Sequence, residues 1–443
     1  MDWITFQAQL SPARRTRART ALAKRFGKLT IARPELGRAV GSRMRKEAIY
    51  TVVPYKEAFS PAVVHAALDA AGIESGALLD PFVGSGTSLL VGTERGLAST
   101  GVDILPFSSF AAGTLLRMAL TDWECIDHQL PVVLKHPKSS HGRFPDFPVR
   151  MWAFGPAALC ELRDLDTAIA ALPHGHERDV LRLALLCSVE MCSQATKDGT
   201  SLRRRPHGSR RTGRFGVRFT RADVQSAFLS RVDTLRAGAV NRPVPIAGSR
   251  ALTGDARELT KLLRGCEPFD VAVFSPPYPN RYDYVSKYQL ELGFGFVDSS
   301  DELRRLRKEQ LRSHLEAPWA IERTVELAAL DEFLSSYLAS PHRTAQANRV
   351  FRMVCGYFED MSKVFSGLHA VMRPKSIAAV VVGTQVFGGE LLPTDLILAE
   401  VAELHGFHVR QIWWARDKGV AVQQRQHLRK PVRSRETVLI LSL

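Results

Sequence analysis

The chain has 443 residues, 45% hydrophobic and 24% charged, the composition of an ordinary globular protein with room for one elaborated domain or two or three smaller ones. Its formal net charge of +15 and pI of about 9.8 argue for a polyanionic partner, nucleic acid first and an anionic membrane surface second. No apolar run approaches the roughly 18 residues that cross a bilayer, and the Arg-rich start lacks the apolar core of a secretory signal.

Residues 1–47 read as a basic arm: between positions 11 and 46 the only acid is Glu35, and apolar periodicity is slight, so the segment is expected to be partly helical or disordered until it meets its partner. From residue 48 the texture changes. Ser60-Pro61 supplies an N-cap and first-turn proline for a helix that stops near Gly72. "ALLDPFVGSGT" then predicts a strand, a glycine turn and a helix, and "STGVDIL" predicts a second strand ending on Asp103. Strand, helix, strand, helix at this spacing opens a parallel α/β sheet.

Residues 121–245 interrupt that pattern with a helical, basic insertion. It closes on a stretch, 197–221, that contains Lys197, Arg203, Arg204, Arg205, Arg210, Arg211, Arg214 and Arg221 and a single acid, Asp198. Arginine forks suit phosphate, so this stretch is the candidate nucleic-acid contact. Alternation resumes with "SRALTGDARELTKLL" and "FDVAVFSPPY", breaks again over roughly 297–345, and ends in helix, strand, helix, strand, strand. The six cysteines include no C-x-x-C pair, and His174/His176 and His405/His408 lack cysteine partners. They read as the reduced thiols and ordinary histidines of a cytoplasmic protein with no metal site.

Two stretches carry chemistry. Gly84 and Gly86 allow a tight turn at a strand's carboxyl end, where a ligand approaches backbone and a helix N-terminus. Asp103, about twenty residues on, is placed to bind a ribose. The Asp-Pro-Phe preceding the glycines departs from the dehydrogenase fingerprint and argues against a nicotinamide. Downstream, "FDVAVF" ends on Ser275-Pro276-Pro277-Tyr278. Neither proline has an N–H for the ladder, so the strand must stop there.

Together these stretches resemble the amino methyltransferases, which move a methyl group from S-adenosylmethionine to an exocyclic amine. "DPFVGSGT" resembles motif I, "SPPY" matches motif IV residue for residue, and "AFSPAVV", "GVDI" and "GDAREL" resemble motifs X, II and III. The resemblance covers roughly 48–120 and 246–443 and implies a Rossmann-like α/β sheet with helices on both faces. Ser275, Pro276, Pro277 and Tyr278 are then the expected catalytic residues. Phe59, Asp80, Phe82, Gly84, Gly86, Thr87, Asp103 and Asp255 are the expected cofactor-binding residues, although Asp255 reads equally as a helix N-cap. Duplex DNA with a flipped target base is the implied substrate, and a restriction or defence protein a possible associate. Ser at the first position of motif IV favours N4 of cytosine over N6 of adenine. Cytosine C5 is excluded, since that reaction requires a Pro-Cys nucleophile and the chain contains none. A tRNA guanine-N2 methyltransferase and a non-catalytic nucleic-acid-binding protein are the competing readings. Either insertion could read the target. Asn280 to Tyr284 either shape the pocket or return the chain to its next helix.

Overall fold

The computed structural model describes residues 17–41, 47–55, 57–135, 152–197, 202–204, 219–318, 324–418 and 434–443. Its centre is an eight-stranded sheet. The strands are β1 (Thr30–Ala32), β2 (Ala77–Asp80), β3 (Ala98–Asp103), β4 (Arg250–Thr253), β5 (Phe269–Phe274), β6 (Met372–Gly383), β7 (His408–Lys418) and β8 (Ser434–Ser442). They lie in the order β1-β7-β8-β6-β5-β2-β3-β4. All neighbours are parallel except β8, which runs against both β7 and β6. The expected Rossmann-like α/β class is the observed one.

Why these segments are strands follows from their alternation. In β5, Val271 and Val273 enter one apolar cluster while Phe269, Ala272 and Phe274 enter the other. From Val271 to Phe274 the strand alternates between the two clusters without a polar gap, as a strand buried on both faces must; Asp270 stands ahead of that run at a register shift. One face is covered by α2 (Pro61–Ala71), α3 (Thr87–Glu94) and α4 (Pro106–Leu116), the other by α11 (Ala347–Val371) and α12 (Thr394–Leu404). The chain builds outward from β2 through β3 to β4, then returns to place β5 on the opposite side of β2. The carboxyl ends of β2 and β5 therefore flank a topological switch point, where open α/β sheets bind ligands.

The helical insertion does not form a core of its own. Its helices α5 (Trp123–Leu134), α6 (Pro156–Ala170), α7 (His176–Val189) and α8 (Arg221–Ala239) share one apolar cluster with α2, α3, α4 and the strands beneath. Helix α8 starts at a capping box in which Thr220 Oγ1 and the Asp223 carboxylate satisfy each other's backbone N–H groups.

Residues 17–41 differ from a free basic arm. Helix α1 (Ala18–Gly27) buries Leu22 and Phe26 in the core cluster that holds α10 (Ala328–Ala339) and α12. Strand β1 pairs in parallel with Ile412–Trp414 of β7. The reason is an exposed ladder: β7 would otherwise be a bare sheet edge, and three residues of the arm cover it. The arm's charge is also engaged, Arg19 donating to Glu332 at 3.1 Å and to Glu390 at 3.1 Å. Phe26→Ala is expected to destabilise the fold by about 3–5 kcal/mol, as for other buried phenylalanines. A free arm would leave the chemical-denaturation midpoint unmoved.

Candidate active site

At the switch point lies a cavity of about 650 Å³, within the usual range for ligand sites. Ser275, Pro276, Pro277 and Tyr278 line it from the end of β5. Phe82, Gly84 and Thr87 line it from the loop after β2, Asp103 from the end of β3, Asp255 from the end of β4, and Phe59 from the segment before α2. Thus the residues expected from five separate stretches of sequence converge on one space. Gly86 and Asp80 stand behind that lining.

The glycine loop is built around positive φ. Gly84 has φ +50° and Gly86 +85°, conformations costly for any residue with a Cβ. Space adds a second constraint: a Cβ on Gly84 would lie 3.2 Å from the Tyr55 ring, and one on Gly86 3.1 Å from the Ala112 backbone. Asp80 braces the loop from below, its carboxylate accepting from Phe82 N at 2.9 Å and from the Ser88 hydroxyl. Asp103 holds it from the side, accepting from Gly84 N and Leu105 N at 2.9 Å each. Each carboxylate oxygen of Asp103 keeps lone-pair capacity for a further donor, because a carboxylate offers about four acceptor positions.

Burial lifts the Asp80 carboxyl to about 7, against hydrogen bonds from Ser88 and Phe82 and with help from the Asp103 charge. Burial likewise lifts Asp103 to about 6, against the donors Leu105 N and Gly84 N. Asp255 takes the cap geometry that its position also predicted: it accepts from Arg257 N at 2.9 Å and from the Arg257 guanidinium at 2.6–3.0 Å.

Past β5, Phe274 packs on Phe82 with ring centroids 5.9 Å apart, so strand exit and glycine loop share an aromatic contact. The Ser275 hydroxyl points toward Tyr278 Oη at 3.5 Å, and burial holds the Tyr278 phenol well above its ordinary pKa and neutral. The chain then turns sharply, Asn280 N donating to the Tyr278 carbonyl at 2.7 Å and Asn280 Oδ1 accepting from Tyr282 N at 3.1 Å. Asp283 caps the short helix Tyr284–Lys287 and is gripped at 2.6 Å by Arg307 of α9 (Ser300–Glu309). Asn280 to Tyr284 therefore do both things open to them: Asn280, Tyr282 and Tyr284 line the cavity while Asp283 returns the chain to helix.

Sequence reasoning missed a third wall. Tyr55, Glu57 and Lys287 line the cavity, as do Arg416 and Glu436 from β7 and β8. Tyr55 stacks on Tyr288 at 4.8 Å between centroids, and the Lys287 ammonium and the Tyr288 hydroxyl both reach the Glu57 carboxylate. No spacing in the chain announces this wall. Its one visible signal is the run "VVPYKEAFSP", whose Tyr55 and Glu57 sit just ahead of the motif X stretch.

The basic stretch divides. Lys197 is not a phosphate ligand: it is fully buried, ion-paired with Glu291 and Glu190, and lies over the Tyr288 ring at 4.4 Å. Arg221 pairs with Glu161 and Asp164 at 2.8 and 2.9 Å. Arg203 and Arg204 are exposed on a two-residue ribbon and do not line the cavity, Arg204 lying over Trp152 at 5.5 Å. Arg205, Arg210, Arg211 and Arg214 lie outside the described residues. Among the described residues there is no group of three or more metal-ligating side chains and no helix long and apolar enough to cross a membrane.

No family model matches the chain. It is 25% identical over 430 residues to Type II methyltransferase M.BsoBI of Geobacillus stearothermophilus, an alignment covering 86% of this chain and 83% of that protein. With Type II methyltransferase M.AvaI of a Nostoc species it shares 26% identity over 449 residues, 90% and 87% of the two chains. This chain is a relative of the Type II methyltransferases. Type II methyltransferase M.MvaI of Kocuria varians adds 21% identity over 365 residues, 75% of each chain. The resemblance to the methyltransferases therefore extends beyond the short motifs to most of the chain.

The buried carboxyls have a consequence for stability. Both are raised above the unfolded range near 4, so the folded protein keeps protons that the unfolded chain has already released. Their contribution is fully present below about pH 4 and is lost as pH rises through about 6 and 7. Asp80→Asn is expected to flatten the decline of the melting temperature between pH 4 and 8. An unchanged slope would show that Asp80 is ionised throughout.

Proposed function

We propose that the protein is an S-adenosylmethionine-dependent DNA methyltransferase acting on an exocyclic amine, N4 of cytosine in preference to N6 of adenine. The observation that carries this reading is the convergence of the glycine loop, Asp103 and Ser275–Tyr278 on one cavity at the switch point, in a chain whose relatives are Type II methyltransferases.

The residues present fit the cofactor. Gly84 leaves the cavity lining beside Tyr55 without a side chain, Gly86 lets the turn close against Ala112 behind it, and Asp103 carries acceptor capacity for ribose hydroxyls. The N-terminus of α3 begins at Thr87, giving a favourable end for a carboxylate. Phe59 and Phe82 supply apolar walls. When bound, S-adenosylmethionine supplies an activated methyl on a sulfonium, so the protein's task is to position and polarise the amine.

That task falls on the strand exit. An exocyclic amine conjugated to a base ring is a poor nucleophile. Hydrogen bonds accepted from its N–H groups favour a pyramidal nitrogen with a localised lone pair. The Ser275 Oγ and the Pro276 carbonyl are the acceptors, and the adjoining Pro277 restricts their backbone so that little reorganisation is needed. Tyr278, neutral and fixed against β6, offers a ring face to a base extruded from the duplex, a contact worth about 1–3 kcal/mol. The leaning toward cytosine rests on serine at the first position of the motif.

Tyr278→Ala should lower turnover roughly tenfold to a hundredfold while calorimetry still detects cofactor binding. Asp103→Ala should weaken cofactor binding first. Incubation with duplex DNA and methyl-labelled cofactor, followed by nucleoside mass spectrometry, should yield N4-methylcytosine. Label in tRNA but not in DNA would replace this reading with the RNA one, and an unchanged rate for Tyr278→Ala would displace the base pocket.

A further inference from the structure

We propose that Arg416 is a specificity-determining residue that reads the N3–O2 edge of the target cytosine, with Glu436 as the positioning residue that holds its guanidinium. The inference rests on the reading of the chain as an N4-cytosine methyltransferase. Arg416 and Glu436 stand directly opposite each other on β7 and β8, and Glu436 stands opposite Gly383 of β6. The Tyr278 ring lies over that glycine: a Cβ there would meet the ring at 3.2 Å and Glu436 Cγ at 3.3 Å. Ring, carboxylate and guanidinium thus follow one another across the top of the sheet, and all three line the cavity that holds Ser275 and Pro276.

Local structure holds Arg416 in place. A register shift between Trp414 and Arg416 re-aims the side chains of β7, as bulges beside binding sites do. Gly41 gives the guanidinium room, since a Cβ there would lie 3.0 Å from Arg416 Nη2. Glu436, 5% exposed, accepts from Nε and Nη2 of Arg416 at 2.5 Å. A guanidinium has five hydrogens in a rigid plane. With one edge on Glu436, the Nη1–Nη2 edge remains a parallel pair of donors for a planar acceptor.

Cytosine offers that acceptor pair. With its amine at Ser275 and Pro276, the neighbouring positions on the same edge are ring N3 and carbonyl O2, two acceptors side by side. Adenine in the same pose offers N1 and then a C–H, so one arginine hydrogen faces carbon where cytosine offers an acceptor. From Ser275 on β5 to Arg416 on β7 is three strand spacings, roughly 14 Å at about 4.8 Å each. One pyrimidine, a hydrogen bond at either end and the arginine side chain fill that span.

The test uses the full chain and a duplex bearing its mapped site, with either cytosine or 3-deazacytosine at the target; the analogue lacks the N3 acceptor. Wild-type protein should lose at least tenfold in kcat/KM on the analogue, whereas Arg416→Ala should be slow on cytosine yet distinguish the two substrates by less than threefold. Cofactor affinity should be the same for both proteins. Arg416→Lys, which keeps the charge without the paired donors, should behave like Arg416→Ala. Equal analogue penalties in wild type and Arg416→Ala, or a lysine variant indistinguishable from wild type, would overturn the proposal. Adenine methylation by the wild type would instead overturn the cytosine reading on which it rests.

Discussion

The site depends on two parallel strands that leave the sheet side by side. β2 and β5 pair through Leu78↔Val271 and Leu79↔Ala272, and neither continues: β2 breaks into a glycine turn and β5 into a pair of prolines. A strand ending in Pro-Pro cannot extend its ladder, and a turn at positive φ cannot carry ordinary side chains. Because both breaks fall at the same level beside a switch point, the two loops diverge and leave a cleft between them. Phe82 against Phe274 fixes the spacing of the two exits. Everything else in the cavity is arranged around that cleft.

The cavity's walls are unusually charged for a core. Lys197 and Glu291 are completely buried, and Lys287 is buried beside Glu57. Such pairs recover little net stability after desolvation. What they supply here is position: the tyrosines at 55, 284 and 288 are stacked between them, and the Tyr288 hydroxyl is tied to Glu57 at 3.1 Å. Removing one member of a pair would leave its partner charged and buried, so the wall is held as a unit. Asp80 and Asp103 follow the same logic beneath the glycine loop, where backbone N–H groups rather than cations offset their burial.

The two loops that face the cavity are legible in the sequence because they are written in local rules. "DPFVGSGT" and "FDVAVFSPPY" each combine an apolar run with residues that forbid further strand, and β5 spans the predicted run from Phe269 to Phe274. The helix after Ser60-Pro61 and the closing strands were legible for the same reason. The arm was not: α1 buries only Leu22 and Phe26 of its ten residues, and β1 exists because β7 needs a neighbour, a tertiary demand with no local signature. Lys197 reads as a surface cation because charge alone does not reveal burial; Glu190 stands only seven residues away, but the fully buried partner Glu291 is 94 residues distant. Arg416 and Glu436 were invisible because their pairing is set by the register of β7 on β8, which no spacing in the chain encodes.

We propose that the Ser275–Tyr278 exit and the Gly84–Gly86 loop form one methyl-transfer site for a base in DNA. The most direct measurement is sequencing that maps modified bases in a host without methylation of its own, expressing either the wild-type chain or Ser275→Ala. The account predicts N4-methylcytosine at a single recurring sequence with the wild type and a near-complete loss with the variant. The same pattern of modification from both proteins, or none from the wild type, would contradict it.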